Sequence, residues 1–362
     1  MKILLISYDY WKYDGRLREL IKVSKELGDV WYITRRSDGE DPQEESHILY
    51  TDHGYLDFLR FCCAQARELG AMDLIFIDNR KGILPGYLAK HICHASYVVQ
   101  DCRELYDMKS AAGIPGKIGC VMEKLFTRHS DVVIAANPFR ARIMVKMFGL
   151  KKTPLNYENI RRLEYTDEEK KQQAEDACKD FFQERKFRII STAGCDMSRT
   201  TGKLLEAMKE LGSGYELLLV GENDEEDEIL AEATIRELGL DNVKILPRMD
   251  QNHLKYFIKN CQVGFVAYHQ RDLNNKYCAS GKIFEYLYEG KPVLTSTNPP
   301  LREFCDKYGV GIASDAYGPA LRRLAEDYEA FEKQVEHFIA RVHVEKNNHK
   351  LAEKISQELK EG

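Results

Sequence analysis

The sequence lacks several features that would place it in well-known classes of protein. Lysine and arginine number 53 against 58 aspartate and glutamate, so there is no basic excess of the kind that nucleic-acid-binding domains carry. No uninterrupted apolar run approaches the ~20 residues of a membrane-spanning helix. The N-terminal residues lack the length and the cleavage site of a signal peptide. We therefore expect a cytoplasmic protein without nucleic-acid partners.

Three further absences concern metals and cofactors. The 10 cysteines stand without the paired short spacings of zinc or redox motifs, which predicts free thiols in a cytoplasmic chain. No Asp-x-Asp pair offers an obvious clamp for Mg²⁺ or Mn²⁺. The first apolar run is followed by Tyr8-Asp9-Tyr10-Trp11 instead of a Gly-x-Gly-x-x-Gly turn, which excludes a dinucleotide-dependent dehydrogenase. We expect no metal and no other cofactor.

The sequence does contain a regular alternation of short apolar runs and helical patterns. Continuous apolar strands between helices are typical of parallel sheets that are covered on both faces. A length of 362 residues is enough for two domains, each with its own core. Strands are predicted at 3–7, 30–34, 73–78, 97–100 and 132–135, and then at 187–192, 216–220, 243–246, 263–267 and 292–296.

These elements predict an α/β protein with two doubly wound domains. The first domain is expected at 1–160 and the second at 188–315, with a charged linker and solvated helix at 161–187 between them. Residues 316–362 are predicted to form a helical tail that packs on the domains, because isolated helices are weakly stable. Ligands of such domains bind at the carboxyl ends of the strands, in the cleft that the two sheets face.

One stretch, 280–294, combines several features that suit a nucleotide. Ser280 can cap a helix, and Gly281 lets a ligand approach the backbone closely. Lys282 adds a positive charge to the first turn, where a helix already favours phosphate. Glu285 lies on the same helix face and could accept the paired hydroxyls of a ribose. The plain alternative is a surface salt bridge between Lys282 and Glu285.

This stretch resembles the donor-binding segment of glycosyltransferase family four, whose members are retaining enzymes with the GT-B architecture. Similar segments follow the family order at 131–149, 158–159, 215–221, 239–243 and 250–265, so the resemblance covers roughly residues 1–315. Asp14-Gly15-Arg16-Leu17 and Asp101-x-Arg103-Glu104-Leu105 are similar to a subgroup usually seen in bacterial surface-polysaccharide synthesis. The implied fold is two Rossmann-like domains that face each other across a cleft.

The resemblance implies transfer of a sugar from a nucleoside-diphosphate donor to a glycan or lipid-linked acceptor, with retention and without a metal. The two phosphates must then be neutralised by side chains and helix ends. In the family an Arg and a Lys after the first strand of the second domain do this. Here Arg199 and Lys203 are the available cations, with Lys282, although Cys195 stands where the family has the Arg. The alternative for this segment is a solvated helix start.

The remaining candidates form a donor set and an acceptor wall. The predicted donor-binding residues are Gly194, Pro247, Arg248, Ser280, Gly281 and Glu285. The predicted acceptor wall consists of Gly15, Arg16, Arg103, Glu104 and Asn137. A plain turn at Gly15 and helix capping by Asn137 are equally good interpretations of those two residues.

Two departures from the family pattern leave alternatives open. Tyr277 stands eight positions before Glu285, where many members carry a Glu that contacts the donor sugar. Arg103 stands where subgroup members often have His, and Arg does not titrate near neutral pH. The alternatives are a non-catalytic, transferase-like partner subunit and a nucleotide-sugar 2-epimerase.

Residues 138–152 raise the question of membrane-surface association. Apolar side chains are interleaved there with lysine and arginine, as in basic helices that lie on anionic membranes. The same apolar stripe could instead face the core of the first domain, so both interpretations stand at this point.

Overall fold

The computed structural model describes residues 1–51 and 54–361. The chain divides into two compact units, of which the first comprises Met1–Asn159 and the C-terminal segment from Val344. The second unit is Ile160–His343. None of the described helices combines the length and the apolar composition that a membrane crossing requires.

The first unit is built on a parallel sheet of 7 strands in the order β3-β2-β1-β4-β5-β6-β7. The strands are β1 (Lys2–Tyr10), β2 (Asp29–Arg35), β3 (His47–Tyr50), β4 (Leu74–Asp78), β5 (Tyr97–Cys102), β6 (Val132–Ala135) and β7 (Leu155–Asn156). The helices are α1 (Gly15–Leu27), α2 (Tyr55–Leu69), α3 (Ile83–Ile92), α4 (Gly113–Thr127) and α5 (Pro138–Met144).

The second unit is built on a parallel sheet of 6 strands in the order β10-β9-β8-β11-β12-β13. Its strands are β8 (Phe187–Ser191), β9 (Tyr215–Val220), β10 (Val243–Leu246), β11 (Val263–Val266), β12 (Val293–Thr295) and β13 (Gly311–Ala313). Its helices are α6 (Glu168–Cys178), α7 (Thr201–Leu211), α8 (Glu225–Leu238), α9 (Gln251–Lys259), α10 (Leu273–Lys276), α11 (Lys282–Tyr288), α12 (Pro299–Tyr308), α13 (Tyr317–Glu326) and α14 (Tyr328–Ile339).

The last helix, α15 (Val344–Glu361), belongs to the first unit. Its residues Leu351 and Ile355 are buried in the core that α1 forms against the sheet. Asn348 bridges this contact, because its side chain accepts from Tyr157 Oη at 2.7 Å and donates to Glu19 at 2.6 Å. The helix is therefore attached by both apolar and polar contacts.

Strand β1 shows why these sequences form doubly covered sheets. Ile3 and Leu5 are fully buried on one face of the sheet, and Leu4 and Ile6 are fully buried on the other. Side chains alternate between the faces of a strand, so a strand covered by helices on both sides needs a continuous apolar run. The predicted fold class, two Rossmann-like α/β domains with a helical tail, is confirmed.

The prediction for residues 161–187 needs one correction. Most of α6 is exposed, as a solvated helix should be, but the following 3₁₀ turn, Lys179–Phe182, is not only a solvated connection. The rings of Phe181 and Phe182 lie 5.0 and 5.1 Å from that of Phe257 on α9. Aromatic pairs at such distances stabilise beyond simple burial, so this segment is packed on the second unit.

Strand order reverses once in each sheet, between β1 and β4 in the first unit and between β8 and β11 in the second. In open α/β sheets, ligands bind beyond the carboxyl ends of the strands at such a switch point, because the connecting loops diverge to opposite faces there. Candidate functional residues are therefore expected at the two switch points.

Candidate functional site

The switch point of the second sheet brings together the loop after β8 and helix α11. Strands β8 and β11 are direct neighbours, with Ile190 paired to Gly264. Thr192 follows β8 at once, and α11 begins at Lys282 after the long loop that leaves β11. Residues that are far apart in the sequence thus meet at one sheet edge.

A glycine and a tyrosine fix the geometry of this edge. A Cβ on Gly264 would lie 2.2 Å from the ring of Tyr286, so only glycine leaves room for that ring against the strand. The fully buried Tyr286 hydroxyl is 2.9 Å from both the amide nitrogen and the hydroxyl of Thr192. The loop after β8 is thereby held against α11.

The Lys282 side chain contacts Thr192 as well. Its Nζ donates to the Thr192 carbonyl oxygen and lies 3.3 Å from the Thr192 hydroxyl. Burial lowers the pKa of Lys282 to about 8; Glu285 opposes this shift, whereas nearby arginines add to it. The plain alternative, a surface salt bridge between Lys282 and Glu285, is absent among the described contacts, and the ammonium group is held by neutral oxygens.

Glu285 has a different cationic partner, Arg161. Arg161 Nε lies 2.6 Å from Glu285 Oε1, and the Glu285 side chain is only 9% exposed. Arg161 comes from the segment before α6, which sequence reasoning assigned to a linker. The carboxylate predicted to bind ribose is therefore present at the switch point, and an arginine faces it.

Ser280 differs from its predicted role. Helix α11 has Gly281 at its N-cap position, and no side chain caps it, so the expectation that Ser280 caps the helix is wrong. The Ser280 Oγ is buried and has no hydrogen-bond partner in the described part of the chain. A buried hydroxyl without a partner costs stability, which makes Ser280 a candidate ligand-binding group next to Lys282.

The loop between β8 and α7 carries the predicted cation Arg199. Arg199 Nε pairs with Asp196 Oδ2 at 2.7 Å, and its guanidinium carbon lies 4.7 Å from the centre of the Tyr268 ring. Lys203 lies exposed in the first turn of α7. Gly194 has a φ of +66°, and a Cβ there would lie 2.4 Å from the side-chain oxygen of Asn223. This turn therefore requires glycine for a structural reason.

Arg248 and Pro247 lie exposed beyond β10. Arg248 Nη1 donates to Glu222 at 2.8 Å across the loop that follows β9. Arg161, Arg199 and Arg248 all contribute to the lowered pKa of Lys282, so the four cations form one positive region. We call these four residues the cation cluster.

The cation cluster is unevenly neutralised. Each of its arginines has a carboxylate partner, whereas the structure gives Lys282 no ion pair among the described residues. Lys282 is therefore the member whose charge a phosphate would compensate. Within the described ranges, no group of three or more histidine, cysteine, aspartate or glutamate side chains is arranged to hold a metal ion.

The switch point of the first sheet has the opposite character. Arg103 pairs with Asp14 and with both oxygens of Asp78, and lies 3.3 Å from Asp9. Burial and the neighbouring carboxylates raise the pKa of Asp78 above its usual range, although Arg103 opposes this. The carboxylates outnumber the arginine, so this edge is acidic and does not suit a diphosphate.

Arg16 lies deeper in the first unit. Its Nε and Nη2 each donate to an oxygen of Asp101 at 2.7 Å, and its Nη1 donates to the Tyr157 carbonyl at 3.0 Å. Arg16 and Asp101 are 4% and 0% exposed, respectively. The described hydrogen bonds of the Arg16 guanidinium are therefore to groups in the interior of the unit. A contact between Arg16 and an acceptor stays a prediction.

The other predicted acceptor residues lie at the same carboxyl edge of the sheet. Gly15 begins α1, and Glu104 follows β5 and accepts from the Tyr106 hydroxyl. Asn137 follows β6 and accepts from the Arg140 amide at 2.9 Å, so it caps α5. The topology thus brings these residues to one sheet edge, and their binding roles stay predictions.

Three residues of the second-unit site escaped sequence reasoning, namely Thr192, Tyr286 and Arg161. The isolated Gly264 inside an apolar strand was a usable signal, because such a glycine often marks a close approach. It would have directed attention to the bulky Tyr286 opposite. No comparable signal existed for Arg161, whose partner is remote in the sequence.

Comparison with known proteins places the fold. No profile of a known protein family matches the sequence, and no curated protein sequence matches it either. Solved structures do match over nearly the whole chain. HepE from Anabaena, crystallised with UDP-glucose, shares 16% identity with a TM-score of 0.75, covering 99% of this chain and 100% of that one.

Two other structures share the fold. WaaG, a glycosyltransferase involved in lipopolysaccharide biosynthesis, has 14% identity and a TM-score of 0.70, covering 98% of this chain and 99% of that chain. A UDP-N-acetylglucosamine 2-epimerase has 11% identity and a TM-score of 0.56, covering 92% and 90%. The chain therefore has the two-domain GT-B fold, which glycosyltransferases share with this epimerase.

Proposed function

We propose that the protein is a glycosyltransferase that takes a sugar from a nucleoside-diphosphate donor. The observation that carries the proposal is the position of Lys282 at the switch point of the second sheet. It stands two residues from Ser280, whose buried hydroxyl has no partner among the described residues, and one helical turn from Glu285. A diphosphate on Lys282 and Ser280 would place a ribose within reach of Glu285.

The distribution of charge supports a donor site in the second unit. The cation cluster surrounds Lys282, whereas the corresponding edge of the first unit carries more carboxylates than arginines. Anions bind where positive charge is uncompensated, whereas the hydroxyl groups of an acceptor form hydrogen bonds with carboxylates and arginine. We therefore infer a donor site in the second unit and an acceptor site in the first.

The reaction follows from this donor. The bond between the anomeric carbon and the β-phosphate oxygen breaks, and its electron pair leaves with the nucleoside diphosphate. An acceptor hydroxyl oxygen forms the new bond, and its proton passes to an oxygen of the departing β-phosphate. Charge develops on the leaving phosphate, so preorganised cations there lower the barrier. Lys282, with Arg199 in support, is the group that would carry this stabilisation.

We also propose that transfer is retaining and independent of a metal. The family resemblance of 280–294 supports retention, and the cation cluster offers the positive charge that an ion would otherwise supply. A glycan or lipid-linked acceptor in bacterial surface-polysaccharide synthesis is the proposed context. The first-unit motifs at Gly15 and Arg103 support it, as does the shared fold with WaaG.

A thermal-shift panel tests the function directly. UDP, GDP, CDP, ADP and UDP-glucose are added separately, and one nucleoside diphosphate with its sugar should raise the melting temperature. The same donors are then incubated with and without glycan acceptors, and products are separated by mass. No shift with any nucleotide would favour a non-catalytic partner subunit, and an isomerised nucleotide sugar formed without acceptor would favour an epimerase.

The lowered pKa of Lys282 gives a pH dependence with a definite sign. The ammonium group is charged below about pH 8 and loses its proton above it, whereas the diphosphate, whose last ionisation lies at about pH 6, changes little in charge above pH 7. Nucleoside-diphosphate affinity should therefore fall between pH 7 and 9.5, by up to about tenfold per pH unit above 8. Isothermal titration calorimetry at half-unit intervals measures this directly.

The Lys282→Arg variant is the matched control, because arginine stays charged over the whole range. Its dissociation constant should change little with pH, even if its absolute affinity differs from the wild type. A wild-type affinity that is flat from pH 7 to 9.5 would contradict the assignment of Lys282 to the diphosphate.

We propose that membrane-surface association, if the acceptor is lipid-linked, uses α4 and not residues 138–152. In the latter segment Met144 and Phe148 are buried and Phe139, Ile143 and Met147 are half-buried, so none of its apolar side chains is fully exposed. Helix α4 instead exposes a continuous apolar stripe formed by Ile114, Ile118, Val121 and Leu125, of which Ile114 is 74% exposed.

The charges of α4 favour an anionic lipid surface as its partner. Lys117 and Lys124 are exposed on the helix, and Arg128 follows it. The one acidic residue of α4, Glu123, is buried. An exposed apolar stripe flanked by cations and free of exposed carboxylates is typical of helices that lie on anionic membranes.

The Leu125→Glu variant should bind vesicles containing phosphatidylglycerol at least about tenfold more weakly than the wild type, because it removes apolar burial and adds like charge. Co-sedimentation with mixed phosphatidylcholine and phosphatidylglycerol vesicles gives the partition constant. Ile229→Glu on α8 is the control, since Ile229 is similarly exposed but lies on an acidic helix. Equal binding to pure phosphatidylcholine, or a dimer that only Leu125→Glu disrupts, would contradict the lipid assignment.

A further inference from the structure

The segment that leads into α6 forms hydrogen bonds with α9 within the second unit. The Thr166 amide donates to Asn252 Oδ1 at 2.8 Å, and Lys255 Nζ donates to the Leu163 carbonyl at 3.0 Å. Both partners lie on α9, so the backbone next to Arg161 is held by hydrogen bonds. The position of Arg161 is therefore built into the fold of this unit.

The contact that results is an ion pair without a hydrogen bond. Arg161 Nε lies 2.6 Å from Glu285 Oε1 but is not aligned as a donor, and neither carboxylate oxygen accepts a hydrogen bond from a described residue. A carboxylate that is 9% exposed needs a cation or several donors to offset its lost hydration. Arg161 supplies that cation, and the carboxylate oxygens keep their capacity to accept hydrogen bonds from a ligand.

We propose that Arg161 is the positioning residue for ribose recognition: its charge holds the Glu285 carboxylate in place and thereby presents it to the ribose hydroxyls. This inference rests on the proposed function, because it takes Glu285 as the ribose-binding group. Hydrogen bonds to an ionised acceptor are stronger than neutral ones, and an acceptor that is already held in place loses less conformational freedom when the ligand binds. Without Arg161 the carboxylate is free to rotate away.

Matched ribo and deoxy nucleotides test this role. Dissociation constants are measured by calorimetry for UDP, GDP, CDP and ADP and for their 2′-deoxy forms. The wild type should prefer the ribose form of its nucleotide by roughly tenfold or more. The Arg161→Met variant should lose that preference through weaker ribonucleotide binding, with the deoxy form nearly unchanged.

Four further variants complete the design. Arg161→Lys should restore part of the preference, because it keeps the charge but not the fixed geometry. Glu285→Gln should abolish the preference, and the Arg161→Met, Glu285→Gln double variant should lose no more, since both residues act on one contact. Arg162→Met removes the neighbouring charge, which pairs with Glu164, and should leave the preference intact.

The outcomes separate this inference from the proposed function. Equal weakening of ribo and deoxy forms in Arg161→Met would mean a phosphate contact or a general structural role and would overturn positioning. An undiminished preference in Arg161→Met would overturn it too. If the wild type binds nucleotides without preferring the ribose form, the roles assigned to Glu285 and Arg161 in ribose recognition are both wrong. If the wild type binds no nucleotide, the proposed function itself is wrong.

Discussion

Replacing Lys282 by methionine should weaken nucleoside-diphosphate binding by roughly a hundredfold, about 2.8 kcal/mol, because a charge-assisted contact to the phosphates is lost. The transfer rate should fall by a factor on the order of 10² or more, since the same charge stabilises the leaving group. We expect the largest effect at Lys282 because it is the member of the cation cluster that has no ion pair with a described residue. Methionine keeps most of the buried stem, so packing changes little.

Calorimetry with the nucleotide identified in the panel gives the affinity, and initial rates with labelled donor give the turnover. Lys209→Met is the matched control, because Lys209 is an exposed lysine of the same unit near the end of α7. It should bind and turn over as the wild type does. Unchanged nucleotide affinity in Lys282→Met would place the diphosphate elsewhere.

The buried strands of the fold were predictable because side chains on both of their faces must be apolar. Strands β1 and β9 are covered on both faces, so each contains a continuous apolar run, at 3–6 and 217–220, that the local pattern reveals. The prediction missed β3, β7 and β13, which are short edge or near-edge strands with few buried side chains. A strand of two to four residues depends mainly on pairing with its neighbour, and the sequence does not show that pairing.

The candidate site was predictable only in part, for a related reason. Lys282 and Glu285 stand three apart, so helical periodicity placed them on one face. The same spacing suggested that they pair with each other, whereas their partners are Thr192 and Arg161. Those partners come from other segments that lie at the switch point. Contacts between such segments depend on the order of the strands in the sheet. Capping by Ser280 failed because the helix begins at Lys282, one residue later than the cap would require.

Truncating Asp101 to alanine should lower the free energy of unfolding of the first unit by about 3–5 kcal/mol, because it leaves a buried guanidinium without its carboxylate. Arg16 and Asp101 form a two-bond pair in the interior, and Arg16 also holds the Tyr157 carbonyl. Removing both charges at once, as in Arg16→Met with Asp101→Leu, should recover most of the loss, since apolar side chains of similar volume suit this depth.

Urea unfolding followed by tryptophan fluorescence measures this unit selectively, because the two tryptophans, Trp11 and Trp31, both belong to it. Asp41→Ala is the matched control, since Asp41 pairs with Arg36 at the surface of the same unit and should cost less than about 1 kcal/mol. If Asp101→Ala were no more destabilising than Asp41→Ala, the pair would not support the fold. Arg16 would then be available for the acceptor contact that the sequence predicts.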